Sequence, residues 1–430
     1  MTRLLRIGLV ASLTISMITL ASGQSKGRPI ENWVATWATA QDMAPTVREH
    51  PVIPPGTKMP DFRSMRGPRQ SQAVPTIAGN QTIRMIVHTS VGGNRIRVEL
   101  TNAFGKSPVS IGNAHVAIRS TASSIQSKSD RQLKFGGSES VDLLPGMIIV
   151  SDPVELQIAP MTDLAVSIFV AKAEGVPTNH TIGLHTSYIA DGNLAAAESL
   201  DKASTTTTYE YLRSVDVAAQ ASDFAIVCLG DSITDGYGTS LDTNKAWPAL
   251  LAERLNKERR GAKVAVLNEG ISGNQVLRDG AGVSALARFD RDVLAEPGVR
   301  WVVLLEGIND INLHGQSTDP GSLVADDLIR GYKELIARAH LHRIRMMGAT
   351  LTPDEGVFLS GPIGEATRQK LNEWIRTSGE FDAVVDFDAV LQEKGHPARL
   401  REEFNPGDKI HPNDAGNAAM ANAFDLSVFK

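Results

Sequence analysis

The chain predicts an N-terminal antiparallel β-sandwich or jelly roll followed by a three-layer α/β/α domain. Three observations carry that expectation. Between residues 30 and 212, short alternating apolar runs are separated by turn residues, without a convincing helical period. From Phe224 onward, apolar runs of strand length alternate with amphipathic stretches of helix length, the signature of parallel strands joined by right-handed crossovers. Three of those runs also stop abruptly in short Gly-, Ser- or Asn-bearing segments, which a parallel sheet would gather at one edge. A length of 430 residues fits two domains better than one.

In chain order, Arg3 and Arg6 precede an apolar stretch from Ile7 to Ala21, and Ala21-Ser22-Gly23 offers small residues for cleavage. Residues 1–23 therefore read as a signal peptide, with a secreted or periplasmic mature protein. The stretch is shorter than the ~20 apolar residues of a membrane span and holds several Ser and Thr, which disfavours a stable anchor. Ser25 to Arg28 is a polar linker, and Trp33-Val34-Ala35-Thr36-Trp37 reads as a strand. Prolines recurring from Pro45 to Pro75 predict a long irregular loop. Thr82–Val87 and Arg95–Leu100 alternate around Gly92-Gly93-Asn94, which predicts a hairpin. Further strands fit His115–Ile118, Met147–Val150, Val154–Ile158 and Leu164–Val170, and Ser214 to Ser222 reads as the junction.

The second domain, residues 223–430, alternates. Strands are expected at Phe224–Leu229, Val264–Leu267, Trp301–Leu305, Ile344–Leu351 and Ala383–Phe387. Helices are expected at Trp247–Arg260, Val283–Leu294, Leu323–Leu341, Glu365–Thr377 and Asn413–Leu426.

Four blocks in this domain carry chemistry. Gly230-Asp231-Ser232-Ile233 ends the first strand. Asn268-Glu269-Gly270-Ile271-Ser272-Gly273-Asn274 follows the second, and Gly307-Ile308-Asn309-Asp310 the third. Asp408-Lys409-Ile410-His411-Pro412 precedes the last helix. In that order they resemble the GDSL or SGNH hydrolase superfamily, with Ile233 in place of the usual leucine. The resemblance runs from about Phe224 to the C-terminus. It implies a flavodoxin-like sheet of five parallel strands and an ester hydrolase working through an acyl-enzyme. It also implies an oxyanion hole formed by the backbone N–H of Ser232, the backbone N–H of Gly273 and the side-chain amide of Asn309.

The residues support that chemistry on their own terms. A serine hydroxyl is a poor nucleophile until an adjacent base removes its proton, and an imidazole such as His411 titrates in the right range. An imidazole in turn needs a partner to fix its tautomer and offset its charge, and Asp408 lies three residues away. A glycine at 273 lets the backbone approach a ligand closely, and the Asn309 amide offers two uncharged donors. Competing structural readings exist for each: Ser232 as a helix N-cap, Gly273 as a turn glycine, His411-Pro412 as a helix start. Asp310 reads as a loop support, Asp231 as a loop support or a helix-terminus carboxylate, and Asp235 as structural. His340 and His342 form no metal-ligand spacing, and His314, Arg278 and Asp279 lie close to the motif loops without a definable role.

Composition narrows the rest. A net charge of −5 argues against nucleic acid as a partner. Cys228 is the only cysteine, so no intrachain disulfide forms, and its place in the first strand predicts a buried thiol. The expected chemistry calls for no metal or other cofactor, and a phosphodiester or sulfate-ester hydrolase would ordinarily recruit cations not apparent here. The expected substrate is an ester, with an acylated polysaccharide or oligosaccharide favoured and a carbohydrate acetylesterase the preferred reading. A general short-chain carboxylesterase or lipase is the first alternative. A carbohydrate-binding protein with a degenerate α/β half is the second, and the intact motif set argues against it.

Overall fold

Phe224–Gly230, Val264–Gly270, Val299–Leu305, Arg345–Ala349 and Ala383–Val385 pair in parallel in the order second, first, third, fourth, fifth. That order belongs to flavodoxin-like doubly wound sheets and puts a topological switch point at the first strand. The computed structural model describes residues 31–42, 75–258 and 261–429. The signal peptide and the proline-rich loop expected from the sequence lie outside the described residues, except for the loop's last residue, Pro75.

The first strand is buried at every position, as a strand covered by helices on both faces must be. Trp247–Glu258, Ala325–Leu341 and Pro362–Thr377 are amphipathic helices, each with one buried apolar stripe. The helix expected at Val283–Leu294 is split: Ala285–Phe289 is α-helical and Asp290–Leu294 continues as a π-helical turn. Three short helices escaped sequence reading: the single turn Ser232–Asp235, Ile308–His314 directly after the start of the third motif, and Phe387–Leu391.

The N-terminal half consists of antiparallel sheets. One joins Trp33–Ala38, Leu212–Ala218, Gly93–Thr101, Ile148–Val150 and Val154–Ile158. The larger one is centred on Gln81–His88, Asp163–Lys172 and Val109–Thr121. The expected hairpin between Thr82–Val87 and Arg95–Leu100 does not form, because the two strands belong to different sheets. The link between them is held by distant partners: Thr89 N–H donates to Thr162 O at 2.9 Å, and Ser90 N–H to Thr36 O at 2.9 Å. The chain crosses from sheet to sheet there instead of turning back.

The segment read as a junction, Ser214 to Ser222, is largely strand. Its polar Asp216 is buried against Arg97 at 2.8 Å, while Val215 and Val217 face the core. Asn32–Lys430 form one compact unit, and a single apolar core runs from Val34 and Val217 through Phe224 to Leu371 and Phe429. Polar seams tie the halves together. Thr39 bridges Asn268 in parallel, Lys263 donates to Gly92 O at 2.8 Å, and buried Arg213 pairs with Glu99 and Glu296. Among the described residues no helix is long and apolar enough to cross a membrane.

Candidate active site

The first strand ends at Gly230, and the chain turns into a one-turn helix, Ser232–Asp235. Asp231 is its N-cap, and its Oδ1 accepts the Ile233 N–H at 3.0 Å. The cap is therefore Asp231 and not Ser232, which sits at the first helical position. A backbone N–H there has no intrahelical acceptor, so that of Ser232 is available to a ligand. Burial, opposed by the Ile233 N–H and by His411, pushes the Asp231 carboxyl up to about 7.

His411, far along the chain, meets this serine. Its Nε2 lies 2.8 Å from Ser232 Oγ and its Nδ1 lies 2.7 Å from Asp408 Oδ2. The other Asp408 oxygen accepts the backbone N–H groups of Ile410 at 3.1 Å and His411 at 3.0 Å. This tight loop holds Lys409 at φ +70, a left-handed conformation that disfavours a lysine by roughly 1–2 kcal/mol. Burial tends to raise the Asp408 carboxyl, but His411 and the two N–H donors outweigh it and hold it below the usual carboxylate range. The Tyr237 ring packs 4.5 Å from that of His411, so the serine's own loop supports the histidine. Pro412 does not open the last helix; Asn413 caps it and Asp414 begins it.

The second motif wraps the base of this site. A Cβ at Gly270 would lie 2.2 Å from Asp235 N, so only glycine permits this close approach to the serine helix. Gly273 adopts φ +84, which an L side chain rarely takes. The Asn309 side chain, on the third motif, donates to Asn274 O at 2.9 Å, one residue beyond Gly273. Asp310 accepts Val276 N–H at 2.8 Å and Leu277 N–H at 3.1 Å. It is a loop support, as expected, and burial pushes its carboxyl up to about 6 against those donors. The structure thus brings Ser232, Asp408 and His411 into one hydrogen-bonded line, with Asn309 bonded to the loop that bears Gly273.

Residues 228–419 match the family of GDSL-like lipases and acylhydrolases. This region belongs to the GDSL/SGNH hydrolase superfamily. No curated protein matches the chain. Solved structures that resemble the hydrolase include an acetylxylan esterase from Geobacillus stearothermophilus, 23% identical, covering 48% of this chain and 94% of its own, with a TM-score of 0.36. An aryl esterase from M. smegmatis is 17% identical over 46% of this chain and 95% of its own, with a TM-score of 0.37. A member of the lipolytic G-D-S-L family from Veillonella parvula is 21% identical over 48% and 98%, with a TM-score of 0.35. The family makes this hydrolase one that acts on esters.

Sequence reading missed the residue that ties the motif loops of this hydrolase together. Arg288, fully buried, donates to Gly230 O at 2.9 Å, Glu269 O at 2.7 Å, Asn274 Oδ1 at 2.9 Å and Asp292 Oδ2 at 3.2 Å. One guanidinium therefore fixes the ends of two strands and the Asn274 side chain. A signal existed: Arg288 and Asp292 stand four residues apart on the same helical face as Ala285 and Phe289, where apolar residues belong. Arg288→Met is expected to destabilise the fold by about 3–5 kcal/mol, because it leaves several buried acceptors unpartnered and removes the cation 3.7 Å from the buried Glu306 carboxyl, although Asp292 keeps Arg291. Urea unfolding checks this, and an unchanged midpoint would contradict it.

His340, Arg278, Asp279 and His314 fall outside the hydrogen-bonded line. His340 pairs with Asp382 at 2.9 Å, Arg278 and Asp279 are exposed, and Asp279 accepts the Ser284 N–H at 2.8 Å. His314 closes the helix after the third motif. Cys228 is buried, and burial pushes its thiol up, so it is not a nucleophile.

Proposed function

We propose that this protein is a serine carboxylic-ester hydrolase that works through an acyl-enzyme. The observation that carries the reading is the line from Ser232 Oγ to His411 Nε2, with His411 Nδ1 against Asp408. Ser232 Oγ attacks the ester carbonyl while His411 Nε2 takes its proton. The carbonyl π electrons move to oxygen, and the oxyanion is met by the N–H groups of Ser232 and Gly273 and by the Asn309 amide. Collapse expels the alcohol, which takes the proton from His411. Water then repeats the sequence on the acyl-serine and releases the acid.

Asn309→Ala is expected to lower kcat by about 10²–10³-fold with little change in KM, because the oxyanion exists only along the reaction path. A matching rise in KM would argue for a substrate-binding role instead.

For the substrate we propose an acylated carbohydrate, with acetyl as the leading acyl group. The support lies in the sequence: a signal-like N-terminus and a β-rich half ahead of the hydrolase half resemble the layout of exported carbohydrate esterases, and an aromatic content of 5% gives no positive sign of a large apolar groove for a long acyl chain. An exported location belongs to the same reading and rests on the charged-then-apolar N-terminal pattern.

The test runs p-nitrophenyl esters of increasing chain length beside acetylated xylan, pectin and glucomannan, with and without a serine-directed phosphonate. Turnover of acetyl esters that the phosphonate abolishes is the expected result. No turnover and no adduct would end the hydrolase reading, and a preference for long acyl chains would end the carbohydrate one.

A further inference from the structure

The β-rich half sends one side chain to the underside of the loop that bears Gly273. His180 ends the short strand Asn179–His180, which pairs with Tyr209–Glu210. Its buried ring places Nε2 3.1 Å from Oδ1 of Asp235, the last residue of the helix that begins at Ser232. The other Asp235 oxygen accepts both donors of Ser272, the backbone N–H at 3.0 Å and Oγ–H at 2.7 Å. Ser272 immediately precedes Gly273, and the two share the peptide whose N–H is the expected oxyanion donor. A carboxylate that holds both Ser272 donors limits how that peptide can rotate. A backbone donor stabilises an oxyanion best when it is already oriented before the charge develops.

We propose that His180 is a positioning residue for the oxyanion hole, acting through Asp235 and Ser272 on the Gly273 N–H. The β-rich half is then part of the catalytic apparatus and not a detachable accessory. The inference rests on the acyl-enzyme reading above.

The electrostatics agree with the geometry. Asp235 is fully buried, and burial pushes its carboxyl up, so the carboxylate needs close partners; His180 and Ser272 supply them. Burial alone would lower the His180 imidazole, but Asp235 and Asp42 outweigh it and raise it to about 9. Asp42 Oδ1 stands 3.8 Å from His180 Nδ1, and its Oδ2 accepts the N–H and hydroxyl of Thr181 at 2.9 and 2.5 Å. The ring is thus clamped between a carboxylate of each half. The chain after it stays on the serine loop: Asp242 accepts the N–H and hydroxyl of Thr186, each at 2.7 Å. A histidine placed only for packing would not need a carboxylate that also holds the residue before Gly273.

The experiment compares His180→Gln, Ser272→Ala and the double variant in the full chain, on p-nitrophenyl acetate. Glutamine keeps an N–H donor while removing the charge, and Ser272 is only half-buried, so its variant folds even where the histidine variant does not. Each single variant is expected to lower kcat about tenfold or more with KM within twofold, since the donor is loosened and not removed. The double variant is expected to be no worse than the poorer single one, because both act on one link.

Wild-type kcat in folded Ser272→Ala overturns the proposal, and so does wild-type kcat in folded His180→Gln. A double loss equal to the product of the single losses overturns it as well. Phosphonate labelling separates this from the parent reading. A wild-type protein that neither turns over nor forms an adduct refutes the acyl-enzyme and this inference with it. Labelled variants with unchanged kcat refute the positioning role alone.

Discussion

Ser232→Ala is expected to lower ester turnover by at least about a thousandfold while leaving the urea midpoint close to that of the wild type. The two halves of that expectation rest on different atoms. The loss follows because Oγ is the group held 2.8 Å from the His411 imidazole, and alanine offers nothing to acylate. The unchanged stability follows because the helix cap belongs to Asp231, so removal of the hydroxyl takes away no capping bond. Alanine also has the most favourable intrinsic helix propensity, so the exchange brings no propensity penalty. Initial rates on p-nitrophenyl acetate, read beside phosphonate labelling, check it. More than about a tenth of wild-type turnover, a loss of less than ~1.4 kcal/mol in barrier, would show that another group is the nucleophile.

The α/β half was legible because its signals are local. Each core strand is an apolar run, and the first three motifs are blocks of a few residues at a strand's carboxyl end, so a parallel sheet gathers Ser232, Gly273 and Asn309 at one edge; that His411 joins them, from a block before the last helix, is what the family resemblance implied. The β-rich half was less legible because its polar residues answer to distant partners. Gly92-Gly93-Asn94 looks like a hairpin turn, yet Thr89 and Ser90 are tied to Thr162 and Thr36, and those bonds direct the chain into a second sheet. Ser214 and Asp216 look like linker residues until Arg97 buries the aspartate. The supports of the site were hidden for the same reason. Arg288 serves three carbonyl or amide oxygens that the sequence scatters, and His180 meets Asp235 across 55 residues. Asp235 itself read as a structural residue, and only its simultaneous contact with Ser272 and His180 links it to the loop that bears Gly273.

Asp408→Asn is expected to cost about 10³–10⁴ in kcat with the fold preserved, and the reason is the tautomer of His411. The aspartate divides its work between two oxygens. Oδ1 takes the backbone N–H groups of Ile410 and His411, and Oδ2 faces His411 Nδ1. An asparagine has one acceptor oxygen, and the two N–H donors claim it, which turns its own N–H groups toward Nδ1. Nδ1 must then accept, the ring proton moves to Nε2, and Nε2 points a hydrogen instead of a lone pair at Ser232 Oγ. The base is lost although every atom stays within hydrogen-bonding distance. Asp408→Ala differs in kind, because it also frees the two N–H groups that hold Lys409 at φ +70, so stability falls along with turnover. Paired measurements of kcat and urea midpoint on both variants separate the two effects. If the asparagine variant keeps more than a tenth of the wild-type rate, some group other than Asp408 sets the histidine tautomer.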